Sequence, residues 1–271
     1  MASLALVLTG QAEDDVWRAW GVTEVESARW QHGRIDDDNP HWCHVGFAEA
    51  KLPSEGLSIG TMVYNDTYLT GANDHKIRRF LYENDLFPYL RHDWRIADGW
   101  VLHSQLLQTG LTFLSGFRNE YCDSKTFYWD YRGTETLDTP WCSVWFFFRK
   151  MINNDSRLDV NWGAYRSFRL PFDFTLRAKL IVFGGDSEEA ELRYGIPPDW
   201  RGRNRYGFSM ANACLAEATL VRQICGHFSA YVSFREFALI DSTVRRASSF
   251  RTRPTNYRDL AIVAVGIGYD F

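Results

Sequence analysis

Hydrophobic residues along this chain recur at every second position rather than every third or fourth. That is the period of a strand, whose successive side chains leave on opposite faces. The closing stretch AIVAVGIGYDF sets Ala261, Val263, Val265, Ile267, Tyr269 and Phe271 in one row, against Ala264, Gly266, Gly268 and Asp270. The segment FTLRAKLIVF alternates Phe174, Leu176, Ala178, Leu180 and Val182 with Thr175, Arg177, Lys179 and Ile181. In KTFYWDYRGT, Phe127, Trp129 and Tyr131 oppose Thr126, Tyr128, Asp130 and Arg132. In LFPYLRHDWRI, Leu90, Trp94 and Ile96 oppose Arg91, Asp93 and Arg95. One row is thus bulky and apolar and the other small, polar or charged. A soluble sandwich would bury the bulky row in a core, whereas a membrane barrel would turn it to lipid.

Twelve such segments can be traced. They fall at about 16–30, 42–50, 57–69, 86–96, 100–113, 125–134, 141–151, 158–169, 174–183, 206–220, 226–240 and 261–271. Short links (LPSEG, ADG, DTP, LPFD, VRQICG) alternate with long polar connections such as 71–85, 115–124, 184–205 and 242–258; NNDS at 153–156 is a short exception. ADG is a hairpin signal. The alternation breaks phase between Leu106 and Leu107, the mark of a β-bulge. Arg166 falls on the apolar row of its strand beside Val160, Trp162, Ala164 and Phe168, a placement suited to a membrane rim where a long cation can snorkel.

The terminal Phe271, an aromatic at Tyr269 and the aliphatics before it resemble the last strand of Gram-negative outer-membrane barrel proteins. That resemblance covers about a dozen residues. It implies an all-β fold: an antiparallel up-and-down transmembrane β-barrel of about twelve strands, with short periplasmic turns and longer extracellular loops. It also implies that Val263, Val265, Ile267, Tyr269 and Phe271 face the membrane, and that the last strand is the handle for the barrel-assembly machinery. Outer-membrane lipid and lipopolysaccharide would surround the protein.

Composition agrees with a barrel. Aromatic residues make up 16% of the 271 residues, with 11 Trp, 13 Tyr and 19 Phe, as expected where rings belt a bilayer interface. The longest apolar run is VWFFF, far below what a membrane helix needs. A net charge of -4 argues against a nucleic-acid binder. Residues 1–12 read as a signal-peptide remnant ending in the small-x-small Gly10-Gln11-Ala12, leaving 13–271 as one barrel domain. The five cysteines, at 43, 122, 142, 214 and 225, show neither a disulfide framework nor a zinc pattern.

An Arg or Lys facing lipid near the midplane costs about 2 to 4 kcal/mol, so the charged rows must face inward. Arg91, Asp93, Arg95, Asp130, Arg132, Arg149, Asp159, Arg177, Lys179, Glu217 and Arg235 are accordingly expected to line the lumen. Their basic excess suits a passive channel for small hydrophilic or anionic solutes, without enzyme chemistry and without a cofactor. The alternatives are a plugged structural barrel, an outer-membrane lipid hydrolase, and a secreted soluble β-sandwich that stacks Trp and Tyr on carbohydrate. His227 and Ser229 are the only pair that hints at hydrolysis, and they lack a third partner. His41, Cys43 and His44 after Asp36, Asp37 and Asp38 have neither zinc-site nor calcium-loop spacing. Arg245, Arg246, Arg251, Arg253 and Arg258 make the last long connection basic, as against DSEEAE in the one before it, and read as a solvated loop.

Overall fold

A computed structural model describes residues 16–31, 34–37, 40–69, 83–114, 127–152, 157–194, 207–248 and 259–271. The wall is built from β1 (Trp17–Glu26), β4 (His41–Lys51), β5 (Leu57–Tyr68), β6 (Glu83–Ala97), β7 (Trp100–Leu114), β8 (Phe127–Asp138), β9 (Ser143–Met151), β10 (Leu158–Arg169), β11 (Phe174–Gly185), β12 (Ser209–Cys225), β13 (Phe228–Leu239) and β14 (Asp259–Asp270). These twelve strands pair antiparallel, neighbour to neighbour, and close when β14 pairs with β1. Ala19 and Phe271 exchange backbone N–H···O bonds of 2.8 and 2.7 Å at the seam. Among the described residues the strands form this closed sheet and one small two-stranded hairpin, so no facing sheet buries the bulky rows and the arrangement is not a sandwich. Among the described residues no helix is long and apolar enough to cross a membrane, and the wall crosses with strands instead.

Each of the twelve segments read from the pattern overlaps one wall strand. The first was read too long: β1 stops at Glu26, and a separate hairpin of β2 (Arg29–Gln31) and β3 (Arg34–Asp37) follows. VRQICG was read as a turn, but β12 runs through it to Cys225 and turns only at Gly226, where φ is 42°. The ADG link turns at Gly99 (φ 71°) with a register shift between Arg95 and Ala97, a left-handed residue paired with a bulge. The bulge expected near Leu106 lies between Gln105 and Gln108 in the β7–β8 register. It resets the phase so that polar residues stay inside on both sides of it.

The two ends of the barrel differ. The turn end carries the five short links, the start of β1 and the end of β14. The loop end carries the β2–β3 hairpin and two helices, α1 (Ser187–Tyr194) after β11 and α2 (Ser242–Ser248) after β13. Asp186 starts α1 by accepting from the Glu189 N–H at 2.9 Å, and Asp241 starts α2 by accepting from the N–H groups of Thr243 and Val244. Residues 1–15 and the connections 70–82, 115–126 and 249–258 lie outside the described residues. The signal-peptide reading, Cys122, Arg251, Arg253 and Arg258 therefore have no structural counterpart.

Candidate functional site: the barrel interior

Burial alternates along the strands and sorts the two faces. Outside lie Val263, Val265, Ile267, Val232, Phe234, Leu180, Trp129 and Trp162, with Val265 54% exposed. At the turn end Trp17, Trp94, Trp141, Phe168, Phe172, Phe228 and Phe271 are exposed together, an arrangement suited to a membrane–water interface. Tyr269 is half-buried, because its ring lies along the outer wall over Gly21 and Gly46. Arg166 is exposed among them, its guanidinium 5.1 Å from the Phe168 ring.

Inside, the charged rows meet in three groups. The first surrounds Arg235, which is 2% exposed. Its Nε donates to Glu217 Oε2 at 2.8 Å, Nη2 lies 3.1 Å from Glu24 Oε2, and Nη1 pairs with Glu26. Tyr231 donates its hydroxyl to Glu24 at 2.9 Å. His41 extends the chain, with Nε2 2.8 Å from Glu26 and Nδ1 2.6 Å from Asp66. Lys179, directly opposite Glu217 in the β11–β12 register, holds its ammonium 5.7 Å from the Trp145 ring.

The second group lies on the facing wall towards the loop end. Arg132 donates twice to Asp130, at 2.6 and 2.8 Å, and stacks 3.9 Å over the Phe87 ring. Arg149 lies 3.2 Å from Asp159 and 3.9 Å from Glu189 of α1, and Arg157 lies 3.5 Å from the same glutamate. The third group is wetter and sits at the turn end. There Arg91 donates to Asp93 at 2.8 Å, and His103 stands between Asp93 (2.7 Å) and Asp138 (3.1 Å). Arg95 is exposed beside it, and Arg177 projects to the same interior with Nη1 lacking a hydrogen-bond partner among the described residues.

The strand pattern had marked the arginines and aspartates but not most of their partners. Glu24, Glu26, His41, Asp66, His103, Asp138, Arg157 and Glu189 complete the networks. The expected contrast of polar inside and apolar outside also holds only in part. Trp20, Val22, Val45, Phe47, Met62, Tyr64, Phe87, Tyr89, Val221 and Tyr231 form one buried apolar cluster, with Trp20 and Phe47 stacked 5.0 Å apart. Ile181, Phe183, Leu215, Phe237, Leu239 and Ile262 form another under Ala190 and Tyr194 of α1 and Val244 of α2. Fully buried charges surrounded by packed rings mean that side chains fill the interior at mid-height.

The remaining candidates do not assemble. His41 and Cys43 point inward while His44 points outward to stack near Trp42 and Tyr269, so the three cannot share an ion. No cluster of metal-ligating residues occurs among the described residues. His227 sits in a turn with its ring 5.0 Å from that of Phe271, and Ser229 is buried in the interior, so they form no dyad. Arg245 donates to the Leu239 carbonyl at 2.8 Å. On the outer wall Ser104 donates to Glu135 at 2.6 Å.

No family model matches the chain, and no curated protein matches it in sequence. Solved structures do match. An outer-membrane channel from Pseudomonas putida F1 superposes with a TM-score of 0.50 at 9% identity, over 95% of this chain and 96% of that one. The fold is that of an outer-membrane β-barrel. The KdgM porin (TM-score 0.45, 10% identity, 94% and 99% covered) and outer membrane phospholipase A from Escherichia coli (0.47, 12%, 93% and 92%) are also similar. At such identities the likeness is one of architecture.

Proposed function

We propose that this protein is a passive channel of the bacterial outer membrane for small hydrophilic or anionic solutes. Its turns, the start of β1 and the end of β14 face the periplasm and its helices face the cell exterior. The observation that carries this is the sorting of charge: Arg91, Asp93, Asp130, Arg132, Arg149, Asp159, Arg177, Lys179, Glu217 and Arg235 all project into a closed twelve-stranded barrel, while the opposite face is predominantly apolar, with few charges such as Glu135 and Arg166. Bilayer hydrocarbon is the environment that such an exterior fits. A twelve-stranded lumen is intermediate between barrels that side chains fill and barrels that hold a wide aqueous pore. The conformation described is a shut one, with the Arg235 and Arg132 groups across its middle and α1 and α2 in its outer mouth.

The burial of Arg132 and Arg235 favours a second reading, a permanently plugged structural barrel. Proteoliposome swelling separates the two. A channel admits small sugars and organic anions at rates that fall with solute size, whereas a plugged barrel leaves the vesicles as tight as empty ones. The same purified protein assayed on phospholipid tests the hydrolase alternative, for which the expected outcome is no released fatty acid.

A further inference from the structure

We propose that Glu135, Ser104 and His92 form a docking site on the outer wall for one phospholipid headgroup that bears a primary ammonium, such as ethanolamine. The three stand side by side on neighbouring strands: His92 of β6 is directly opposite Ser104 of β7, and Ser104 is directly opposite Glu135 of β8. Opposed residues share a face of a sheet. That face is the outer one, since Trp94 and Leu106, two positions along from His92 and Ser104, are exposed on it. Apolar side chains close the row at both ends, with Leu57 opposite His92 and Phe146 opposite Glu135. A carboxylate, a hydroxyl and an imidazole thus make a polar island in an apolar wall, and the charged groups of the interior project to the other side of it.

The island is incompletely satisfied. Glu135 accepts from Ser104 at 2.6 Å, its one hydrogen bond among the described residues, although a carboxylate offers about four acceptor sites. The Nδ1 of His92 has no hydrogen-bond partner among the described residues. Hydrocarbon can supply none, whereas a headgroup can. The depth suits one: the His92 ring centroid lies 4.0 Å from that of Trp94, a member of the turn-end aromatic belt, and two residues along a tilted strand put the row only about 5 Å further in. Rings of such a belt sit at headgroup level. Charge and donors then select the headgroup. A primary ammonium brings the counter-ion that Glu135 lacks, with N–H donors for the oxygens of Glu135 and Ser104. A quaternary ammonium brings the charge without a donor, and a phosphoglycerol headgroup brings only an anion, which Glu135 repels. The inference goes beyond the channel reading and rests on its orientation only for the leaflet that supplies the lipid, the periplasmic one.

Native mass spectrometry of the detergent-purified, delipidated barrel tests the proposal. The barrel is incubated with phospholipids of identical acyl chains that carry ethanolamine, N,N-dimethylethanolamine, choline or glycerol headgroups. The expected result is one bound lipid whose occupancy falls from ethanolamine through dimethylethanolamine to choline by about tenfold, the worth of one charged hydrogen bond, and is lowest for glycerol. E135Q should bring ethanolamine down to the choline level. R166Q, on the same outer face but outside the row, should keep the preference, and the heat-modifiable band on a gel shows that each variant has closed. Equal occupancy by all four headgroups in the wild type, or an undiminished ethanolamine preference in E135Q, overturns the site. A lipid-free complex of two chains overturns it as well, because a second copy then covers the row. The headgroup series needs only the wild type, so the test holds even where E135Q fails to close. Headgroup preference in a barrel that never conducts would overturn the channel reading and leave this site standing, whereas conduction without headgroup preference would do the reverse.

Discussion

Arg235 shows what a single buried charge does in this wall. It reaches Glu217 of β12 and Glu24 and Glu26 of β1, and all three carboxylates are buried. Arg235→Leu leaves them facing one another, and the expected loss is about 3 to 5 kcal/mol, read as a lower urea midpoint for unfolding from lipid vesicles. Outside, the Ser104 hydroxyl is what satisfies Glu135 on the lipid-facing surface. Ser104→Ala should destabilise by about 1 to 3 kcal/mol in the same assay. At this scale the sequence was half legible. Arg235 falls in a polar row with Ser229, Tyr231 and Ser233 and could be placed inside. Its partners Glu24 and Glu26 share their row with Trp20 and Val22, so alternation there separates two mixed faces and says nothing of which is wet.

At the scale of elements, the seam between β14, β1 and β4 depends on small residues. A Cβ on Gly21 would lie 2.3 Å from the Val45 carbonyl oxygen and 2.6 Å from the Tyr269 hydroxyl, so that ring can lie flat only over glycine. Gly21→Val should prevent closure and abolish the heat-modifiable band on a gel, while Tyr269→Ala should close normally but unfold at a lower temperature. All twelve strands were readable because lipid outside and a barrel interior within impose the same two-residue period on each. The helices were not read, although Asp186 followed by Glu189 and Asp241 followed by Ser242 are ordinary helix starts. Polarity in a connection suggested solvent, whereas α1 turns Glu189, Ala190 and Tyr194 into the mouth.

For the whole molecule, the outer face decides where the protein can live and the inner face decides what it does there. Exposed Val263, Val265, Ile267, Val232 and Phe234 form an apolar surface that a soluble protein would not keep. The barrel should therefore require detergent throughout purification and sediment with outer membranes. The pattern of the sequence made this side plain, because an apolar row with nothing to cover it has few destinations. It did not reveal how far rings and ion pairs occupy the lumen, since packing across a barrel joins residues as distant as Arg132 and Phe87, or Tyr231 and Glu24, that no local period connects. Single-channel recording in a planar bilayer with a salt gradient across it decides whether the lumen conducts. A conducting barrel gives discrete, infrequent openings and a reversal potential that shows anion preference; a silent bilayer at every voltage the membrane tolerates would mean a plugged barrel instead.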